Sequence, residues 1–342
     1  MSLVPDKDKP SIPKQFLEEY NILIFSQPGD GKSSFLNAFL NSMILLFENS
    51  TKAMLSNDFN LSSELVKRGK YNYRWELFRD FVRDFNSGGH GYETLGVDTA
   101  TRAYDTAMEY IINVELDGQH PSEMMKKDDS SGYSLLNQEL EKWFGKMLDN
   151  EYGTVISAHA DFKGITDIKG NKRNKLVPDT GGSFGSWLMG EVDIIIFLDK
   201  NSDGERTFRI EGTKDYDAKQ RLPFQNDEIN VECKDDSIDP GKFAYEKFKE
   251  EFDAAIEKLN ERLGITEEMI ENYYGRKEQE KEKQKKLSNL KDKIIDLAKE
   301  KQLNPKKNAF EMNKQIGVDK VSKISNLDNA RKYIDYLKNY EG

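Results

Sequence analysis

The chain has 342 residues, with 51 lysines and arginines against 61 aspartates and glutamates and a net charge of -10. That balance excludes a protein that coats nucleic acid over its whole surface, so any polyanion must be met by a local basic groove. Mean hydropathy is -0.77 and no apolar run exceeds "MILLF" or "IIIFL", so no bilayer-spanning helix and no membrane partner are expected.

In chain order, residues 1–19 form a polar, proline-containing leader with no apolar signal segment, which points to the cytoplasm. "YNILIFS" is a β-prone run and "SSFLNAFLNSMILLF" carries apolar residues at helical spacing, so a strand, a loop and a helix follow one another. "TKAMLSND" has the composition of a strand, and "YNYRWELFRDFVRDF" predicts an amphipathic helix with an aromatic face. "YETLGVD" predicts a strand ending in Asp98, and "TRAYDTAMEYIINVEL" and "SLLNQELEKWFGKML" predict two further helices. "GTVISAHAD" reads as a buried strand, followed by a long polar loop, "FKGITDIKGNKRNKLVPDTGGS". "VDIIIFLD" and "ERTFRIEGT", joined at "KNSDG", predict a hairpin. Strands alternating with helices predict an α/β fold, a mostly parallel sheet with helices on both faces, over residues 20–240. A charged helical linker is expected over 241–287 and a small helical C-terminal module over 288–342. The one cysteine, Cys233, rules out an internal disulfide, and three scattered histidines without cysteine partners do not suggest a structural zinc site.

The chemistry concentrates in "FSQPGDGKSS", Phe25 to Ser34. It matches the phosphate-loop pattern G-x-x-x-x-G-K-[ST] except at the first position, where Ser26 replaces glycine; a small residue serves there if its φ stays negative. Gly29, Asp30, Gly31, Lys32, Ser33 and Ser34 are the expected ATP-binding residues. Backbone N–H groups meet phosphate oxygens, Lys32 reaches the β and γ phosphates, and Ser33 ligates Mg2+. Asp98, at a strand end, is the expected second metal-site residue, acting through the water shell of the ion.

Taken together, "NILIFSQPGDGKSSF", "YETLGVDTATRAYDTAMEYI", "GYSLLNQELEKW", "GTVISAHAD" and "EGTKDYDAKQRLP" resemble the phage-encoded RecA-like ATPases that act as single-strand annealing proteins, core-only relatives of RecA and RadA. The resemblance covers about Tyr20 to Pro223. It implies a RecA-like P-loop NTPase core with a C-terminal helical extension, ATP and Mg2+ as cofactors, and single-stranded DNA as partner. Lys32 and Asp98 then belong to the catalytic set, and His159 matches the γ-phosphate sensor. The loop after it matches a DNA-contacting loop, in which Lys163, Lys169, Lys172, Arg173 and Lys175 cluster beside the lone aromatic Phe162. Lys219 and Arg221 match a Lys-x-Arg pair that reaches the nucleotide of a neighbouring subunit, which implies a homo-oligomer, ring or filament. A phage or host single-strand binding protein is a further expected partner.

The family also has, before the Asp98 strand, a strand ending in an acidic residue that positions the attacking water. "LSNDFNLSSE" offers Asp58 or Glu64 without a clean strand, so the general base stays open and hydrolysis is expected to be slow. The implied function is ATP-dependent single-stranded DNA binding that promotes annealing or homologous recombination in a phage. The alternative is a nucleotide-switched interaction protein, a loader or regulator in a phage replication complex that does not itself bind DNA, which suits the charge run "GRKEQEKEKQKK".

Overall fold

Five consecutive buried residues, Ile22–Ser26, form β1. Their side chains divide between two hydrophobic cores: Leu23 and Phe25 enter one, Ile22 and Ile24 the other. A strand buried on both faces requires packing layers on either side of its sheet. The computed structural model describes residues 11–120, 131–166, 172–235, 237–300, 324 and 326–339. The remaining strands are β2 (Ser42–Leu46), β3 (Asp58–Asn60), β4 (Thr94–Asp98), β5 (Gly153–Thr166), β6 (Lys172–Pro178), β7 (Ile194–Lys200), β8 (Arg206–Arg209) and β9 (Glu228–Asn230). They form one nine-stranded sheet in the order β3-β2-β4-β5-β1-β7-β8-β9, with β6 paired to the far half of β5. Pairing is parallel from β3 through to β7 and antiparallel for β7-β8, β8-β9 and β5-β6.

On the first face lie α2 (Leu61–Arg68), α3 (Arg74–Asn86), α4 (Ala100–Tyr110), α5 (Ser131–Leu148) and α6 (Gly182–Glu191). Trp75, Phe78, Ala103, Phe144 and Phe184 are their anchors in the core. On the second face lie α1 (Lys32–Asn37) and α7 (Pro240–Leu263). Phe35 and Leu36 of α1 meet Phe248 and Phe252 of α7 there, together with Phe208 of β8. The expected α/β fold, with a mostly parallel sheet and helices on both faces, is the one observed.

Three expectations change. "SSFLNAFLNSMILLF" is not one helix: α1 stops at Asn37 and Met43 to Leu46 lie in β2. Asn41, at φ 47°, makes the left-handed turn between them, a conformation asparagine tolerates. A short apolar run reads alike as buried strand or buried helix, and here β2 is buried between β3 and β4. The long polar loop is instead an antiparallel ribbon of β5 and β6. Of "TKAMLSND", only Asp58 is in a strand.

One compact unit is Pro13–Leu263, and a second takes in the residues from Gly264 onward. The start of the expected linker is α7, whose residues Ala244, Tyr245, Phe248, Phe252, Ala255 and Ile256 recur at helical spacing and are buried against the sheet. In the second unit α8 (Glu267–Glu300) and α9 (Leu327–Lys338) share a small core of Ile294, Ala298, Tyr333, Ile334 and Leu337. No described helix is long and apolar enough to cross a membrane.

The seat of α7 on α1 depends on Gly241, where a Cβ would lie 2.3 Å from the Ser34 carbonyl oxygen. Helix propensity favours alanine by ~1 kcal/mol, but overpacking against backbone costs about 1–3 kcal/mol. Gly241→Ala is therefore expected to lower the urea midpoint, while Lys242→Ala, exposed on the same turn, leaves it in place.

Candidate active site

The connection 27–31 between β1 and α1 is the phosphate loop, and its two glycines take conformations closed to other residues: Gly29 at φ 86° and Gly31 at φ 115°. Ser26 does not, because it is the last residue of β1, which explains why glycine is dispensable at that position. Its hydroxyl has a use: Lys32 Nζ donates to Ser26 Oγ at 3.1 Å, to Ser26 O at 3.1 Å and to Gln27 O at 3.0 Å. Lys32 is thus laid along the loop and buried. Burial pushes its ammonium below the ordinary lysine range, with Asp98, Asp30 and Glu48 opposing. From β8, Arg206 Nε donates to Asp30 O at 2.9 Å, and its guanidinium is held by Glu232 at 3.0 Å, so the loop is propped from outside.

Asp98 is 1% exposed at the end of β4. Ser33 Oγ donates to its Oδ2 at 2.7 Å, as do the hydroxyls of Ser50 to Oδ2 and Ser157 to Oδ1. The Asp98–Thr99 peptide is cis. Among the described residues no group of three His, Cys, Asp or Glu is suited to hold a metal. The donors here are a hydroxyl and a carboxylate, both hard oxygens, which fits Mg2+ taking its remaining ligands from phosphate and water.

β2 leads to an acidic residue that the sequence alone does not reveal. The chain runs on from Leu46 through Phe47, whose N–H donates to Asp98 O at 2.8 Å, to Glu48. Its Oε1 lies 3.5 Å from His159 Nε2, and its Oε2 lies 3.5 Å from Arg102 Nε. An acidic residue thus lies two positions beyond β2, and what hides it in the sequence is that "MILLF" reads as the continuation of a helix. Asp58 accepts from Thr51 and Ser56, and Glu64 is paired with Lys67 and Arg68 on α2. Gln27, Pro28, Thr101, Arg102, His159 and Asp179 are among the residues around a cavity of about 420 Å³ beside the loop. His159 is fixed at its backbone, where its N–H donates to Thr101 Oγ1 at 3.0 Å.

Beyond His159, β5 carries Lys163 directly opposite Lys175, and Ile165 opposite Arg173. With period two, these side chains share one face, and Lys172 lies on the other with the exposed Phe162. Like charges directly opposite destabilise a ribbon; Asp217, 2.6 Å from Lys175 Nζ, offsets part of this. Lys169 lies outside the described residues. Lys219 and Arg221 are engaged within their own chain: Lys219 Nζ donates to the carbonyls of Met189, Gly190 and Val192 at 2.7–2.9 Å. Arg221 donates to Gly190 O at 2.9 Å and pairs with Asp193 at 3.3 Å. Both therefore satisfy the carbonyls that end α6.

A family model described as an AAA domain matches residues 18–222. No curated protein matches the chain. Among solved structures it is similar to a KaiC-like protein of the hyperthermophilic archaeon Pyrococcus horikoshii OT3, with 12% identity and a TM-score of 0.31 over 63% of this chain and 86% of that one.

A lysine whose ammonium is held low by burial loses its charge earlier as pH rises than one in water. Affinity for a fluorescent ATP analogue is expected to fall across the alkaline range below the ordinary lysine value of about 10.4. Titrations at stepped pH, with folding followed by circular dichroism, check it; a flat profile up to that value contradicts it.

Proposed function

The chain belongs to the AAA domain family, and on that premise we propose that its P-loop ATPase domain is RecA-like, hydrolyses ATP with Mg2+, and uses the nucleotide to control single-stranded DNA binding at the β5-β6 ribbon. The observation that carries this reading is the continuity of β5. One uninterrupted strand, Gly153–Thr166, bonds Asp98 through Ser157, bears His159 beside Glu48, and ends in the basic ribbon.

In this reading the loop N–H groups and Lys32 hold the triphosphate, and Ser33 and Asp98 would hold Mg2+, which would offset phosphate charge. Glu48 accepts a proton from the water that attacks the γ phosphorus, and the Glu48 to His159 contact makes loss of the γ phosphate felt on β5. Lys163, Arg173 and Lys175 meet DNA phosphates from one face of the ribbon, the face opposite Phe162. The strand order supports a RecA-like core, since the His159 strand lies between the phosphate-loop strand and the Asp98 strand. Annealing or recombination of phage type, in a ring or filament, is the process this activity suits. A second reading, a loader or regulator, has one observation in its favour: the separate small core of α8 and α9, which provides a docking module.

Fluorescence anisotropy of a labelled oligonucleotide, without nucleotide, with ADP and with a non-hydrolysable ATP analogue, tests the reading over a salt series. Tighter binding with the ATP analogue is expected. Lys163→Glu together with Arg173→Glu should reduce the salt slope by about 0.7 for each DNA phosphate that is no longer neutralised. No binding in any state, with capture of a partner by the intact chain, selects the second reading. Glu48→Gln should keep ATP binding and slow hydrolysis by roughly 10²–10⁴-fold; unchanged turnover removes Glu48 as the base.

A further inference from the structure

The cavity beside the phosphate loop is walled by acids and by one strong cation. Asp105 and Asp179 are on its wall, and Arg102 is the only lysine or arginine among its lining residues. Burial, Asp161 and Asp105 push the Asp179 carboxyl above the ordinary carboxylate range, with His159 and Arg102 opposing.

Arg102 sits in the first turn of α4, four residues after Asp98. Its backbone N–H donates to Thr99 Oγ1 at 3.2 Å, which fixes its Cα to the strand end. Its side chain is 54% exposed, and its guanidinium is shared between Asp105 at 3.0 Å and Glu48 at 3.5 Å. Exposed pairs of this kind are weak and exchange readily for a stronger acceptor. A γ phosphate is such an acceptor, because it offers an array of charged oxygens to the fork of a guanidinium. Lys219 and Arg221, the cations expected to reach a neighbouring subunit, are bonded to the end of α6 in their own chain.

We propose that Arg102 is a catalytic residue supplied in cis: it exchanges Asp105 and Glu48 for the γ phosphate, stabilises the charge on the phosphoryl group in transfer, and frees Glu48 to orient water. The inference rests on the ATPase reading given above. In the step, the water oxygen bonds to the γ phosphorus and Glu48 takes the water proton. The bond from the γ phosphorus to the bridging oxygen breaks, and its electron pair leaves with ADP. Arg102 stays a cation throughout, and the products are ADP and phosphate.

The test compares the full chain with Arg102→Ala, Arg102→Lys, Arg221→Ala, Lys32→Ala and Glu48→Gln. Steady-state ATP hydrolysis is measured across a wide range of protein concentration, together with binding of fluorescent ADP as a check that each variant is folded. Arg102→Ala is expected to lower kcat by about 10³-fold or more with ADP affinity unchanged, and Arg102→Lys to recover part of the loss. Turnover per wild-type chain should not depend on protein concentration. Hydrolysis that depends on Lys32 and Glu48 but keeps its kcat within about threefold in Arg102→Ala, against the ~10³-fold expected, overturns this inference alone. So does turnover that rises with concentration and disappears in Arg221→Ala. A wild-type chain with no Lys32-dependent hydrolysis overturns the ATPase reading and this inference with it.

Discussion

The site depends on one buried carboxyl group. Asp98, 1% exposed, gathers hydroxyl hydrogen bonds from Ser33 at the start of α1, from Ser50 beyond β2 and from Ser157 on β5. A buried charge costs several kcal/mol when unsatisfied, so these three segments are held to Asp98 by the penalty for letting go. What they carry follows from that: the phosphate loop enters with Ser33, Glu48 with Ser50, and His159 with Ser157.

In the proposed reading, strand continuity is what carries the state of the nucleotide to the ribbon. β5 is parallel to β4 and β1 in its first half and antiparallel to β6 in its second, with no break between. The base of the ribbon is tied again on its other side: Leu176 N–H donates to Asp215 O at 2.8 Å, and Lys219 and Ile195 exchange both backbone bonds. The ribbon that continues from His159 is thus hydrogen-bonded on both sides, its other anchor being β7, the outer neighbour of the phosphate-loop strand.

The parts of this design that are legible in the sequence are those in which chemistry needs particular residues at short spacing. Gly29, Gly31, Lys32 and Ser33 announce the loop because positive φ and a point charge leave few substitutes, and Asp98 is marked by the apolar strand it ends. Glu48 is illegible for a local reason: an unbroken apolar run fits a helix continuing from Ser33 as well as a strand, and only the turn at Asn41, a tertiary choice, separates them. The ribbon is hidden because its strands are polar, lacking the alternation that marks a strand with one buried face. The role of α7 is obscured because its charged residues outnumber its aromatic ones, although Phe248 and Phe252 decide where it lies.

Charge imposes the remaining constraint on the proposed DNA-binding role. A chain with a net charge of -10 repels a polyanion at long range, while Lys163, Arg173 and Lys175 oppose that field at the ribbon. At physiological ionic strength the Debye length is about 8 Å, shorter than the ribbon itself at ~3.4 Å per residue over the seven residues of β6. The local cations therefore outweigh the distant acids once DNA reaches the ribbon, while the encounter gains nothing from steering. Lowering the salt strengthens both the attraction at the ribbon and the repulsion from the body. Binding of this kind loses affinity at high salt without gaining the fast, steered association that a uniformly basic protein gains at low salt.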